Sequence, residues 1–148
     1  MKAKDFLKSY RKLDEMIENK MYEVKRWEDI ALNISPRYGG EKVQSSGSQQ
    51  KMADAVAKII DIENEINERI DELIDLRNDI ISVLEQLPPL EYGLLHRIYI
   101  QYKTIAEAAW DLDKRSENWG TTTHGRALAK VQMILDERSE RERENDEI

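Results

Sequence analysis

Thr104-Ile105-Ala106-Glu107-Ala108-Ala109-Trp110-Asp111-Leu112, then Asp113-Lys114-Arg115, then Ser116-Glu117-Asn118-Trp119-Gly120-Thr121-Thr122-Thr123-His124-Gly125-Arg126-Ala127-Leu128: this stretch decides the fold. It reads as a helix, a tight turn and a second helix. Leu112 closes the first helix, and Ser116 is placed to cap the second with its hydroxyl. Ala109 is small, so a following helix can cross close to it. From the cap onward, Gly120, Ala127, Val131 and Ile134 share the apolar side. Asn118, Thr121, Thr122, Gly125 and Arg126 fall on the other. Where a helix-turn-helix reads DNA, its second helix enters the major groove and offers short polar side chains to base edges. Asn pairs with adenine, threonine methyls meet thymine, and Arg grips guanine. Asn118, Thr121, Thr122 and Arg126 are therefore the base-edge candidates. Lys114, Arg115 and Lys130 are the phosphate candidates, which would orient the module without reading sequence. An alanine-rich helical hairpin with a serine cap and no nucleic-acid role would show the same spacing.

Upstream of this stretch, Pro88-Pro89 ends whatever helix precedes it. Leu90 to Tyr102 then predicts a helix with Leu94, Leu95, Ile98 and Tyr99 inward. Packed across the helix pair, it completes a three-helix core in which Leu95, Ile98, Ala109, Leu112, Leu128 and Val131 are expected to be buried together. Downstream, residues 136–148 are charged and nearly devoid of apolar side chains. They are expected to prolong the last helix briefly and then fray.

The first half of the chain reads as two long helices. Phe6, Tyr10, Leu13, Ile17, Lys20, Val24, Trp27, Ala31 and Ile34 alternate four and three residues apart, a heptad seam along a helix over 4–34. At 1.5 Å per residue that helix is roughly 45 Å long. Lys20 on the seam costs stability unless its stem snorkels. Ser35-Pro36-Arg37-Tyr38-Gly39-Gly40 stops it, and the Ser/Gln-rich segment that follows completes an expected loop over 35–50. A second helix is predicted over 51–87, with Val56, Ile59, Ile62, Ile66, Ile70, Leu73, Leu76, Ile80, Leu84 and Leu87 facing one way. Similar lengths and an intervening loop predict an antiparallel hairpin. Ile60, Ile74, Ile81 and Val83 lie beside the main stripe, which predicts self-association, most simply a dimer.

Composition narrows the function classes. The chain has 148 residues, a formal net charge of −7, six glycines, three prolines and no cysteine. Disulfides and thiolate metal sites are excluded, and helix formers dominate. No apolar run approaches membrane-spanning length and no signal-peptide core is visible, so a soluble cytoplasmic protein with no membrane partner is expected. The negative charge argues against indiscriminate nucleic-acid binding, which needs clustered Lys and Arg. From Leu95 to Leu135, however, Arg97, Lys103, Lys114, Arg115, Arg126 and Lys130 outnumber Glu107, Asp111, Asp113 and Glu117. A binder that needs a partner or a dimer fits that balance. Asp14-Glu15-x-x-Glu18 and Glu72-x-x-Asp75 put acids on one helical face, as oxygen ligands for Mg²⁺ would be. No nucleotide pocket accompanies them, and a solvated acidic face is the plainer reading. His96 and His124 lack metal-ligand spacing, and no nucleophile–base pair is visible. No enzyme activity, metal or cofactor is expected.

Residues 92–135 resemble the C-terminal region of phage-encoded late-gene transcription regulators of the ArpU type, which are themselves similar to the promoter-reading helix-turn-helix of primary sigma factors. The resemblance is carried by Leu94-Leu95-x-x-Ile98-Tyr99, by Thr104-x-x-Glu107-x-Ala109-x-x-Leu112, and most specifically by Thr121 to Leu128 followed by Val131. Ile59-Ile60-Asp61-Ile62-Glu63-Asn64-Glu65-Ile66-Asn67 is similar to the acidic, Ile-rich helix of that family. Two features depart from the pattern. The turn after Leu112 is about one residue longer, and Gly120 stands where a branched apolar residue normally anchors the recognition helix, leaving Trp119 to supply that packing. The resemblance implies an all-α protein: a long antiparallel, coiled-coil-like hairpin over 1–87, a three-helix sigma-like module over 88–135 and a charged tail over 136–148. It implies a regulator in the host bacterial cytoplasm that binds double-stranded DNA, with the hairpin serving dimerisation or contact with RNA polymerase. Two other readings fit the same residues: a DNA-recognition subunit of phage packaging machinery, and a structural interaction protein that does not bind DNA.

Overall fold

The protein is described by a computed structural model covering residues 1–34 and 46–148. Among these residues every helix or strand assigned is an α-helix: α1 (Ala3–Ile34), α2 (Ser46–Leu84), α3 (Pro89–Tyr99), α4 (Ile105–Asp111) and α5 (Glu117–Asp146). The fold is all-α, as composition and periodicity predict. Most of the expected 35–50 loop lies outside the described residues, but Ser46 to Gln50 belongs to α2. There Gln50 donates to Asp54 at 2.9 Å, a pairing one turn apart of the kind that supports an exposed helix.

The chain forms two compact units, and neither coincides with the expected division at Pro88. The first comprises residues 1–12 and 73–148. Its core joins Phe6, Leu7 and Tyr10 of α1, Ile80, Val83 and Leu84 of α2 with the following Leu87, Leu95 and Tyr99 of α3 with Ile100, and Ala127 and Val131 of α5. The prolines do end a helix: α2 stops at Leu84, a turn closes through Leu87 N–H to the Leu84 carbonyl at 3.0 Å, and Pro89 begins α3. Residues on both sides of them share one unit, in which the start of α1 and the end of α2 join α3 and α5 in one core. Val83, expected beside the apolar stripe, is fully buried here.

The second unit comprises residues 13–72. Among its described residues, Ile17, Ala55 and Ile62 are buried, with Val24, Trp27, Ile59 and Ile66 half-buried. Lys20, the polar member of the seam, reaches Glu65 at 2.6 Å, so its charge is paired while α1 continues unbroken. That neighbour, by hydrogen bond and charge, holds the Glu65 carboxyl below its ordinary value. Val56 and Ile70, expected within the buried stripe, are 45% and 38% exposed.

The last helix also exceeds its expected length, since α5 runs to Asp146. Arg and Glu are good helix formers. Arg138 on α5 also donates to Asp79 of α2 at 2.7 Å, and Arg141 lies one turn from Glu137 at 3.8 Å.

Candidate nucleic-acid interface

α3, α4 and α5 pack on one another within the first unit. Thr104 caps α4: its hydroxyl accepts from the Glu107 backbone N–H at 3.2 Å and donates to the Glu107 carboxylate at 3.0 Å. The Thr-x-x-Glu spacing is the signature of a capping box, a local signal that the reading of the turn and the second helix does not use. Ser116 caps α5 as predicted, accepting from Trp119 N–H at 3.2 Å.

The turn between them is built by backbone geometry. Asp113 and Lys114 both take positive φ, 61° and 54°, a left-handed conformation that costs a non-glycine residue about 1 kcal/mol or more. It is held by Lys114 N–H to the Trp110 carbonyl at 2.8 Å and Arg115 N–H to the Ala109 carbonyl at 3.0 Å. The additional turn residue is accommodated here. Lys114 then sits 5.8 Å from the Trp110 ring centre and Arg115 4.7 Å from that of Trp119, cation–π distances.

α5 crosses α4 at Gly120. A Cβ on Gly120 would lie 2.8 Å from Ile105 Cγ2 and 3.2 Å from Ala109 Cβ. The small residues at 109 and 120 therefore form one close crossing, with Ile105 as the branched apolar partner supplied from α4. Trp119, expected to supply the packing in place of Gly120, is half-buried with the Arg115 guanidinium over its ring. Gly120, Thr123, Ala127 and Val131 are the buried positions of α5. Leu95, Ala109 and Val131 of the expected core are fully buried, whereas Ile98, Leu112 and Leu128 are half-buried.

The opposite side of α5 is exposed. Asn118, Thr121, Thr122, Gly125 and Arg126 all face outward. Their spacing of three and four residues makes them one continuous strip. Arg126 has no ion pair among the described residues. Lys130 does: its ammonium donates to Glu91 at 2.9 Å, and that glutamate is buried, with its other oxygen unpartnered among the described residues. Lys103 pairs with Asp111, and Arg97 lies 3.7 Å from the same carboxylate. Of the six bases from Leu95 to Leu135, Lys114, Arg115 and Arg126 thus have no acidic partner among the described residues; Arg126 lies on the outward strip and the other two in the turn that leads into α5.

His124 sits between the two faces. Its Nε2 is 2.7 Å from the Tyr99 hydroxyl and its ring stacks on that tyrosine. Burial, then the charge of Lys4, holds its pKa below the ordinary histidine value. It belongs to the packing of α5 on α3. Among the described residues no cluster of side chains suited to hold a metal ion is found, and no helix is long and apolar enough to cross a membrane.

Comparison with protein-family models, with curated proteins and with solved structures gives no match.

Proposed function

We propose that this protein is a transcription regulator of phage or prophage type, which binds double-stranded DNA by laying α5 in the major groove. The supporting observation is the strip Asn118, Thr121, Thr122 and Arg126, exposed together on a helix whose other side is fixed by the close crossing at Gly120. A groove-reading helix needs that combination of rigid support and short, free, polar side chains. Lys114 and Arg115 at the turn take phosphate contacts. Lys130, already paired with Glu91, is left out of the interface. The resemblance of 92–135 to ArpU-type regulators supplies the biological class. The antiparallel hairpin of α1 and α2 belongs to the same reading: Tyr10 meets Arg77 in the first unit, and Lys20 meets Glu65 in the second. In it the hairpin serves dimerisation or contact with RNA polymerase.

Binding assays on duplexes selected from fragments of the host phage genome test the reading. Asn118→Ala or Thr122→Ala is expected to relax sequence preference, at a cost of about 1–3 kcal/mol for each base no longer read. Lys114→Ala or Arg115→Ala is expected to weaken all sequences alike and lower the slope of log K against log salt by about 0.9 for each phosphate no longer neutralised. An unchanged ratio of specific to scrambled affinity in the Asn118 and Thr122 variants refutes the base-reading assignment. Fragments that cluster at a packaging site rather than at promoters favour a packaging subunit. Absence of salt-sensitive binding to any duplex leaves a structural interaction protein.

A further inference from the structure

The exposed side of α2 carries a pattern that the DNA-reading proposal does not use. Val56, Ile60, Glu63, Asn67, Ile70 and Ile74 follow one another at alternating intervals of four and three residues, the spacing of one helix-long seam. α2 is a single helix from Ser46 to Leu84. Ala55, Ile59, Ile62, Ile66, Leu73 and Ile80, all buried or half-buried, fall on a different side. Val56, Ile60, Ile70 and Ile74 are 45%, 51%, 38% and 52% exposed, and they are the large apolar residues of α2 left in that state.

Their order is palindromic. Val56 and Ile60 precede the midpoint at residue 65 by nine and five positions, and Ile70 and Ile74 follow it by five and nine. We propose that this face of α2 binds the same face of a second copy, antiparallel, about a two-fold axis near residue 65. Ile60 then meets Ile70 of the other copy, Val56 meets Ile74, and Glu63 meets Asn67. The amide of Asn67 donates to the Glu63 carboxylate, so the central polar layer has a partner. Each such pairing occurs twice, as a two-fold interface requires.

Charge selects this arrangement over the parallel one. Two copies paired parallel and in register set Glu63 against Glu63. Like charges directly opposed are destabilising. The antiparallel register sets Glu63 against Asn67 instead, and brings the neighbouring Asn64 side chains near each other at the axis. The acids Asp61, Glu68 and Asp75 lie on the outer edge of the seam, where solvent screens them.

The arrangement goes beyond the DNA-reading proposal and does not depend on it. The chain has no cysteine, so single cysteines report orientation directly. Ile60→Cys and Ile70→Cys proteins are mixed at equal concentration without DNA and oxidised mildly. The mixed 60–70 disulfide is expected to exceed either same-site disulfide at least tenfold, because a disulfide needs Cα atoms within about 7 Å. Ile60→Glu is expected to weaken self-association by at least tenfold in sedimentation, with helical content by circular dichroism unchanged. A monomeric mass for the unaltered protein at high micromolar concentration overturns the proposal. So does a predominance of 60–60 and 70–70 disulfides, which reports parallel pairing.

Discussion

Replacing Gly120 by alanine tests the helix crossing on which the outward strip depends. The added methyl would lie 2.8 Å from Ile105 Cγ2, 3.2 Å from Ala109 Cβ and 3.4 Å from the Ile105 carbonyl oxygen. Overpacking of this kind costs about 1–3 kcal/mol. Alanine in place of glycine inside a helix returns about 0.5–1 kcal/mol. Ile105 is β-branched and stiff at χ1, and a backbone carbonyl cannot rotate away, so relief is limited. The net loss is expected at about 1–2 kcal/mol, or roughly 2–8 °C in melting temperature. Gly125→Ala is the internal control. It lies on the same helix with nothing within 4 Å of its added Cβ, so it keeps the helical gain and is expected to stabilise by about 0.5–1 kcal/mol. Urea unfolding followed by circular dichroism measures both. In a Gly120→Ala background, Ile105→Ala should cost less than it does alone, the mark of coupled neighbours. If Gly120→Ala stabilises as much as Gly125→Ala, the two helices do not cross as described.

The remaining predictions follow from burial and charge. Leu95→Ala, at a fully buried site, should cost about 2–5 kcal/mol, and Leu128→Ala, half-buried, distinctly less; equal losses in chemical denaturation would contradict the packing order. Lys130→Ala removes the ion-pair partner of buried Glu91 and should destabilise by about 1–3 kcal/mol; adding Glu91→Gln should recover part of that, and a neutral single variant would show that the pair is idle. For His124 the folded pKa lies below the 6.5 of the unfolded chain because of burial, then Lys4. The unfolded state therefore binds more protons in that window, so stability is full above about pH 6.5 and falls as pH drops through the folded pKa. His124→Gln should flatten part of this acid loss, the rest belonging to His96, which burial and then Arg77 and Arg97 shift the same way; an unchanged pH profile of unfolding would rule the assignment out.

The helices are legible in the sequence because each signal is local. The Ser116 cap and the helix over 4–34 are written in nearby residues and reappear where expected, and the helix before Pro88 ends at Leu84, three residues before the expected stop. Long-range packing is not legible in the same way. Leu7 lies off the α1 seam, yet it is fully buried in a core shared with the end of α2 and with α3 and α5. Val83, beside the stripe by periodicity, is buried in the same core. Pro88-Pro89 reads as a domain boundary because proline interrupts backbone hydrogen bonding, but a boundary between packing units depends on which side chains share a core. Gly120 reads as a defect in the expected pattern until Ile105 is seen to fill its place from the other helix. A position's required size depends on its partner, and a single strand of sequence does not name the partner.

The same limit applies to charge. The sequence shows a mildly basic stretch from Leu95 to Leu135, with Arg97, Lys103 and Lys130 counted alongside Lys114, Arg115 and Arg126. The structure divides them. Arg97 and Lys103 converge on Asp111, and Lys130 answers Glu91. Their charge is largely cancelled at distances shorter than the roughly 8–10 Å over which physiological salt screens. What remains near the outward strip is a small positive set at the turn and at Arg126, in a chain of net charge −7. Phosphate neutralisation by so few groups gives a shallow salt dependence and weak non-specific attraction. A protein so charged gains little from DNA in general. If it binds, discrimination must come from the short polar side chains of α5 and from two copies acting together.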